Sequence, residues 1–137
     1  MNVDFIALLV DFGLVVLIWM IQLLVYPSFS HYTKSNLIKW HTRYTSRITS
    51  IVAPLMLAQI TLATFAVWQD ANTLSISYTV LIYSTWIFTL HTFIPIHKNI
   101  QEGNFSPTTL ANLVKLNGYR TAIWTVIFVL SYFSFID

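Results

Sequence analysis

The sequence predicts an all-α integral membrane protein, an up-down four-helix bundle forming a single transmembrane domain of 137 residues. Three observations predict it. Hydrophobic residues make up 56% of the chain and charged residues only 9%, against about 25% charged in ordinary soluble domains. That leaves too little polar surface to cover a soluble fold of this size. Four apolar segments follow one another, each with the ~20 residues that a helix needs to cross a bilayer. The connections between them are short, which makes neighbouring helices antiparallel.

Span one covers 5–27 and is expected to close at Tyr26-Pro27. Its start, MNVDF, has no Lys or Arg, and no small-residue cleavage pattern follows. It therefore reads as a retained span rather than a cleaved signal. Span two covers 37–68, and its first turns, KWHTRYTSR, extend beyond the hydrocarbon. Span three covers 73–98. Span four covers 108–135 and opens on Ser106-Pro107-Thr108, a cap followed by an early proline. There is no internal repeat, and the absence of cysteine excludes disulfides and thiolate metal sites.

The net charge of +2 matters less than where the charges fall. Lys34, Lys39, Arg43 and Arg47 lie at the first turnaround, and Lys98, Lys115 and Arg120 at the third. An up-down bundle puts those turnarounds on one face. Asp4, Asp70 and Asp137 fall at the other, with Asp11 nearer that side. By the positive-inside rule the basic face is cytoplasmic and both termini face outward. A bacterial inner membrane is the expected location. The expected partners are the lipid bilayer, a lipid-soluble small molecule, and either further copies of the chain or a larger membrane complex. No nucleic-acid partner is expected.

All four histidines, His31, His41, His91 and His97, fall toward the basic end. With ~100° of rotation per residue, His41, Tyr44 and Ile48 share a stripe of span two, with Trp40 and Arg47 overlapping it. On span three, Ser84, Phe88, His91 and Pro95 share a face from which His97 points away. On span four, Asn117, Thr121, Trp124, Phe128 and Ser131 share a face, with Arg120 beside it. Lipid cannot satisfy polar stripes, so they should turn inward. The expected lining of the resulting pocket is His31, Tyr32, His41, Tyr44, His91, Asn117, Arg120 and Trp124. Pro95 removes the hydrogen bond to the His91 carbonyl, and so either kinks the helix or marks its fraying end. Arg120 is either a pocket group or a snorkelling anchor. Trp86, in mid-span, reads as packing. Asp11 either caps the outer side of the bundle or hands on protons.

Three chemistries suit such a pocket. Histidines without cysteine suit copper, iron or zinc, and two facing histidines suit a haem whose propionates an Arg pairs. A cofactor-free enzyme would use His and Tyr as acid and base, with Arg on an oxyanion. A non-enzymatic accessory subunit or binding protein is the third. A di-iron carboxylate centre is not expected: there is no Glu-x-x-His, and Glu102 is the only glutamate.

The chain resembles the anthrone-oxygenase-like family of small four-span membrane proteins in three places. These are Tyr26-Pro27 at the end of span one, Pro95-Ile96-His97-Lys98-Asn99 at the end of span three, and Asn117-Gly118-Tyr119-Arg120-Thr121 with Trp124 opening span four. The resemblance implies oxygenation of polycyclic aromatics. More loosely, the chain is similar to the haem-dependent four-helix type of protoporphyrinogen oxidase. The likeness lies in Tyr26-Pro27 with His31, in Tyr44, Arg47 and Pro54, and in His91 late in span three. That resemblance implies a haem. The Asn-Glu-x-Pro signature of that type is absent, and Asn117-Gly118-Tyr119-Arg120 stands in its place.

The expected function is therefore a membrane oxidoreductase or oxygenase acting on a lipid-soluble aromatic substrate. His41, His91 and His31 are the expected ligands of a haem b or of copper, iron or zinc, with Arg47 and Trp124 also against the cofactor. Tyr44, Asn117 and Arg120 are the expected catalytic residues.

Overall fold

The computed structural model describes residues 3–136, so Met1, Asn2 and Asp137 of the expectations above lie outside the described residues. Four helices make up nearly all of it: α1 Val3–His31, α2 Lys34–Gln69, α3 Thr73–Gln101 and α4 Pro107–Ile136. Among the described residues there is no strand. Each helix is long and apolar enough to cross a membrane; 29 residues of helix span ~43 Å against ~30 Å of hydrocarbon. Consecutive helices run antiparallel, and α1 packs on α2 and α4, as α3 does.

The ends are set by local chemistry. Asn72 and Ser75 form a reciprocal capping box at the start of α3. At the start of α4 the Thr109 N–H donates to Ser106 Oγ at 3.3 Å, with Pro107 as the first helical residue. α3 stops at Gly103, whose φ of +78° is a left-handed value that glycine adopts at little cost. The Asn104 N–H then reaches back to the Asn99 carbonyl at 2.8 Å.

The outward faces are apolar: Leu23, Leu24, Val80, Ile87 and Trp68 are all more than half exposed. A contiguous surface of this kind is rare on soluble monomers. Six basic residues, Lys34, Lys39, Arg43, Arg47, Lys98 and Lys115, are exposed toward the end built by the first and third turnarounds. Arg120, the seventh, is buried.

Pro27 does not close α1. The helix widens into a π-helical turn over Ile21–Val25, and then continues through Tyr26-Pro27-Ser28 and a 3₁₀ turn to His31. Pro95 neither frays α3 nor breaks it. A second π-helical turn, Thr89–Phe93, precedes it, and the helix runs on to Gln101. In each case a wide i→i+5 bond closes on the residue just before the proline: Tyr26 N–H to Ile21 O, and Ile94 N–H to Thr89 O. The wider turn accommodates a ring that would otherwise clash with the carbonyl four residues back.

Candidate functional site

A π turn absorbs one extra residue and so rotates everything beyond it by ~100°. The buried line of α3 runs Tyr78, Ile82, Thr85. Continued as plain α-helix, His97 would stand ~120° away from Thr85; with one residue absorbed, it stands ~20° away. The same argument on α1 brings Tyr26 from ~80° off the Ile18 line to ~20°. Both residues thereby enter the interior: Tyr26 is 3% exposed. Their side chains meet, with Tyr26 Oη 3.0 Å from His97 Nε2. The other ring nitrogen of His97, Nδ1, lies 2.8 Å from His41 Nε2. The result is a hydrogen-bonded chain Tyr26–His97–His41. Phe29 stacks edge-on against both His41 and Tyr44 and walls the chain off.

Arg120 stands beside the Tyr26 hydroxyl. Its guanidinium lies 3.8 Å over the Phe93 ring, an arrangement that favours a cation. One terminal nitrogen donates to Asn117 Oδ1 at 2.8 Å, and the other makes a long 3.5 Å contact with Thr89 Oγ1. Asn117 is in turn held by donating to Gln22 Oε1 at 2.8 Å. Among the described residues no carboxylate lies within ion-pair distance of Arg120; the one ion pair there joins Lys98 and Glu102 at 3.9 Å.

Between these groups lies a cleft of about 400 Å³, within the size range of ligand pockets. α1 and α4 supply its back wall through Leu17, Ile21, Tyr26, Arg120 and Trp124. α2 and α3 supply its sides, including Tyr44, Trp86, Phe93 and His97. The mouth lies between α2 and α3, where Thr49, Leu90 and Ile94 are exposed. Gln101 donates to Thr45 Oγ1 at 2.8 Å and ties the two helices together at the basic end. Three buried N–H groups of residues lining the cleft have no partner: Arg120 Nε, Trp86 Nε1 and Trp124 Nε1. All three are donors.

The structure gathers His41, Tyr44, Asn117, Arg120 and Trp124, as the helical stripes of α2 and α4 require. It does not bring His31, Tyr32, Arg47 or His91 to them; all four are exposed. His91, expected inward, is thus corrected outward, because the inward line of α3 runs through Thr85 rather than Ser84. His97, expected to point away, is corrected inward by the π turn. Tyr26, Trp86, Phe93 and Gln22 were missed as site residues. The signal that could have found Tyr26 and His97 was the proline beside each.

The expected haem or metal can be tested against this donor set. Two imidazoles that ligate one haem stand on opposite faces of its ring. His41 and His97 instead meet edge to edge, their centroids 5.0 Å apart, so no macrocycle fits between them. Two nitrogens bound tetrahedrally at ~2.0 Å are ~3.3 Å apart, wider than the 2.8 Å hydrogen bond here. Among the described residues no group of three or more His, Cys, Asp or Glu could hold a metal ion. His41 and His97, as they are placed, neither bracket a haem nor chelate one tetrahedral metal ion. No protein-family model matches the chain, and neither a curated protein nor a solved structure does.

Proposed function

We propose that this is an integral membrane protein, with its basic end cytoplasmic, that binds a lipid-soluble aromatic molecule carrying an anionic or carbonyl oxygen. The observation that carries this reading is Arg120: a buried cation with no carboxylate partner among the described residues, on the wall of a largely apolar cleft. A charge at that depth costs several kcal/mol; the Asn117 hydrogen bond and the Phe93 ring offset that cost but leave the charge without a counter-ion among the described residues. An acceptor-bearing ligand in the cleft would neutralise it. The mouth between α2 and α3 admits such a molecule sideways from the bilayer. The polycyclic aromatics implied by the anthrone-oxygenase-like resemblance belong to the same chemical class. The test is quenching of tryptophan fluorescence, in lipid nanodiscs, by a hydroxynaphthoquinone and by the naphthoquinone lacking the hydroxyl. Tighter binding of the anionic hydroxy form is expected. Equal affinity for the two, or none for either, would overturn the reading.

A second reading, cofactor-free acid–base catalysis, is favoured by the Tyr26–His97–His41 chain. With Tyr26 donating to His97 Nε2 and His97 Nδ1–H donating to His41 Nε2, the chain can take a proton from a C–H beside a carbonyl. The Tyr26 oxygen accepts the substrate proton as its own passes to His97, and His97 passes one to His41. The positive charge ends on His41, and the enolate oxygen lies against Arg120. Such proton transfer contributes ~10²–10⁴ in rate. Deuterium exchange from solvent into tetralone, followed by NMR, should therefore be catalysed by the native protein and lost in His97→Phe. Exchange at the rate without protein would exclude this reading and leave the binding reading standing.

A further inference from the structure

A groove at the basic end of the bundle is separate from the cleft, although Tyr26 lines both. It measures about 490 Å³ and lies between the end of α1, the start of α2 and the start of α4. Its lining changes with depth. At the lip stand Tyr32, Lys34 and Ser106, all exposed. Further in come Leu110, Ala111 and Val114 of α4, with Phe29 of α1 and Leu37 of α2. Val114 lies ~10 Å along α4 from Pro107. Centred in a bilayer, a helix of ~43 Å extends ~6 Å beyond ~30 Å of hydrocarbon at each end. The lip then stands at headgroup level, and the apolar lining reaches the edge of the hydrocarbon.

Lys34 Nζ sits 5.6 Å over the ring of Phe105, which also lines the groove, so the charge is held at the lip. Among the described residues it has no acidic partner. No acidic residue occurs between Asp11 and Asp70, and Glu102 is the one acid between Asp70 and Asp137. Glu102 itself pairs with Lys98 at 3.9 Å. The Tyr32 hydroxyl is a second donor at the lip. Ser30 adds none, because its hydroxyl donates to the Pro27 carbonyl at 3.0 Å.

We infer that this groove binds one anionic phospholipid, its phosphate against Lys34 and Tyr32 and the upper part of an acyl chain along Leu110, Ala111 and Val114. The inference rests on the membrane placement proposed above, not on what the cleft binds. Charge complementarity selects the headgroup. A fixed cation without a counter-ion favours an anionic lipid over a zwitterionic one, whose own ammonium competes for the phosphate. The order of the lining selects a lipid over free phosphate, because a phosphate at the lip leaves the apolar ~10 Å below it uncovered.

The test is native mass spectrometry of the whole chain in a neutral detergent, titrated with phosphatidylglycerol or with phosphatidylcholine of the same chains and read as the one-lipid adduct. Phosphatidylglycerol should bind about fivefold more tightly. Lys34→Gln should lower its affinity about fivefold. Lys39→Gln removes an exposed cation of α2 that does not line the groove, and should change it less than about twofold. Ala111→Trp fills the groove from an exposed position with every charge in place, and should lower it more than about tenfold. Equal binding of the two lipids, equal losses in Lys34→Gln and Lys39→Gln, or unchanged binding in Ala111→Trp refutes the site. Displacement of the lipid by glycerol phosphate would assign the lip to a free phosphate, and a lipid-free dimer would assign the groove to a second copy of the chain; either overturns the inference. Lys34 does not line the cleft, so Lys34→Gln should bind the hydroxynaphthoquinone as the native protein does, and failure of one site leaves the other standing.

Discussion

Replacing Arg120 by Gln separates a cation kept for a ligand from one kept for the fold. In the free protein, three terms oppose each other. The substitution removes a buried charge whose placement in a span costs ~2.5–3.5 kcal/mol. It also loses the charged hydrogen bond to Asn117 Oδ1 at 2.8 Å, worth ~1.5–3 kcal/mol. The contact with Phe93 at 3.8 Å accounts for another ~0.5–2 kcal/mol. The losses total ~2–5 kcal/mol and nearly cancel the relief. Arg120→Gln should therefore fold, with a midpoint within several degrees of the native protein. Ligand binding carries no such cancellation. The oxygen of a bound hydroxynaphthoquinone loses a charge-assisted bond worth ~1.5–3 kcal/mol, so its affinity should fall ~10- to 150-fold. The naphthoquinone lacking the hydroxyl should lose far less. Fluorescence titration in nanodiscs and a melting curve on the same sample give both numbers. Unchanged affinity for the hydroxy form in a folded Arg120→Gln protein would refute the argument.

The remaining predictions address the relay, the π turn and the orientation. His41 is fully buried and does not line the cleft, so His41→Phe should cost ~1–3 kcal/mol of stability yet bind the hydroxynaphthoquinone within about twofold of native; a large loss of affinity would place His41 at the ligand. Pro95→Ala removes the ring that the turn at Thr89–Phe93 accommodates, so relaxation toward α-helix should rotate the end of α3 by ~100°. A Thr45→Cys, Gln101→Cys pair reports this, because those side chains touch at 2.8 Å in the native arrangement and the chain has no other cysteine. A short bis-thiol crosslinker, which replaces the length of the Gln101 side chain, should bridge the pair readily in the otherwise native chain and poorly with Pro95→Ala; equal rates would refute the rotation. Single cysteines at Asn104 and Ala71 should react with an impermeant maleimide from opposite sides of intact cells, Ala71 from outside; labelling of both from one side would contradict the up-down arrangement in a membrane.

The four helices were legible in the sequence because each is a long apolar run broken by short polar turns. On α4 the site was legible too: an uninterrupted helix carries a fixed 3.6-residue period, and Asn117, Thr121, Trp124 and Ser131 fell on its buried line. On α2, His41 and Tyr44 held for the same reason, Pro54 notwithstanding. The failures lie beyond the two π turns. A periodic reading assumes one rotation per residue throughout, and one absorbed residue turns an outward His97 inward. Proline marks where that assumption is weakest, but it signals a break, a kink or a wide turn alike. The sequence places Asp11 nearer the acidic side but cannot name its partners: Gln59 and Tyr78 are 48 and 67 residues away, pairings that only the packing decides.

If the cleft takes its ligand from a bilayer, as proposed, the lateral mouth between α2 and α3 also decides what concentration the cleft experiences. A ligand taken from the bilayer is counted per unit of lipid, not per unit of water. Molecules too sparing in buffer to be detected can saturate such a site by partitioning first. Adding empty vesicles dilutes them without changing a single contact. Competition between two aromatic ligands would then follow their relative solubility in lipid as much as their fit to Arg120.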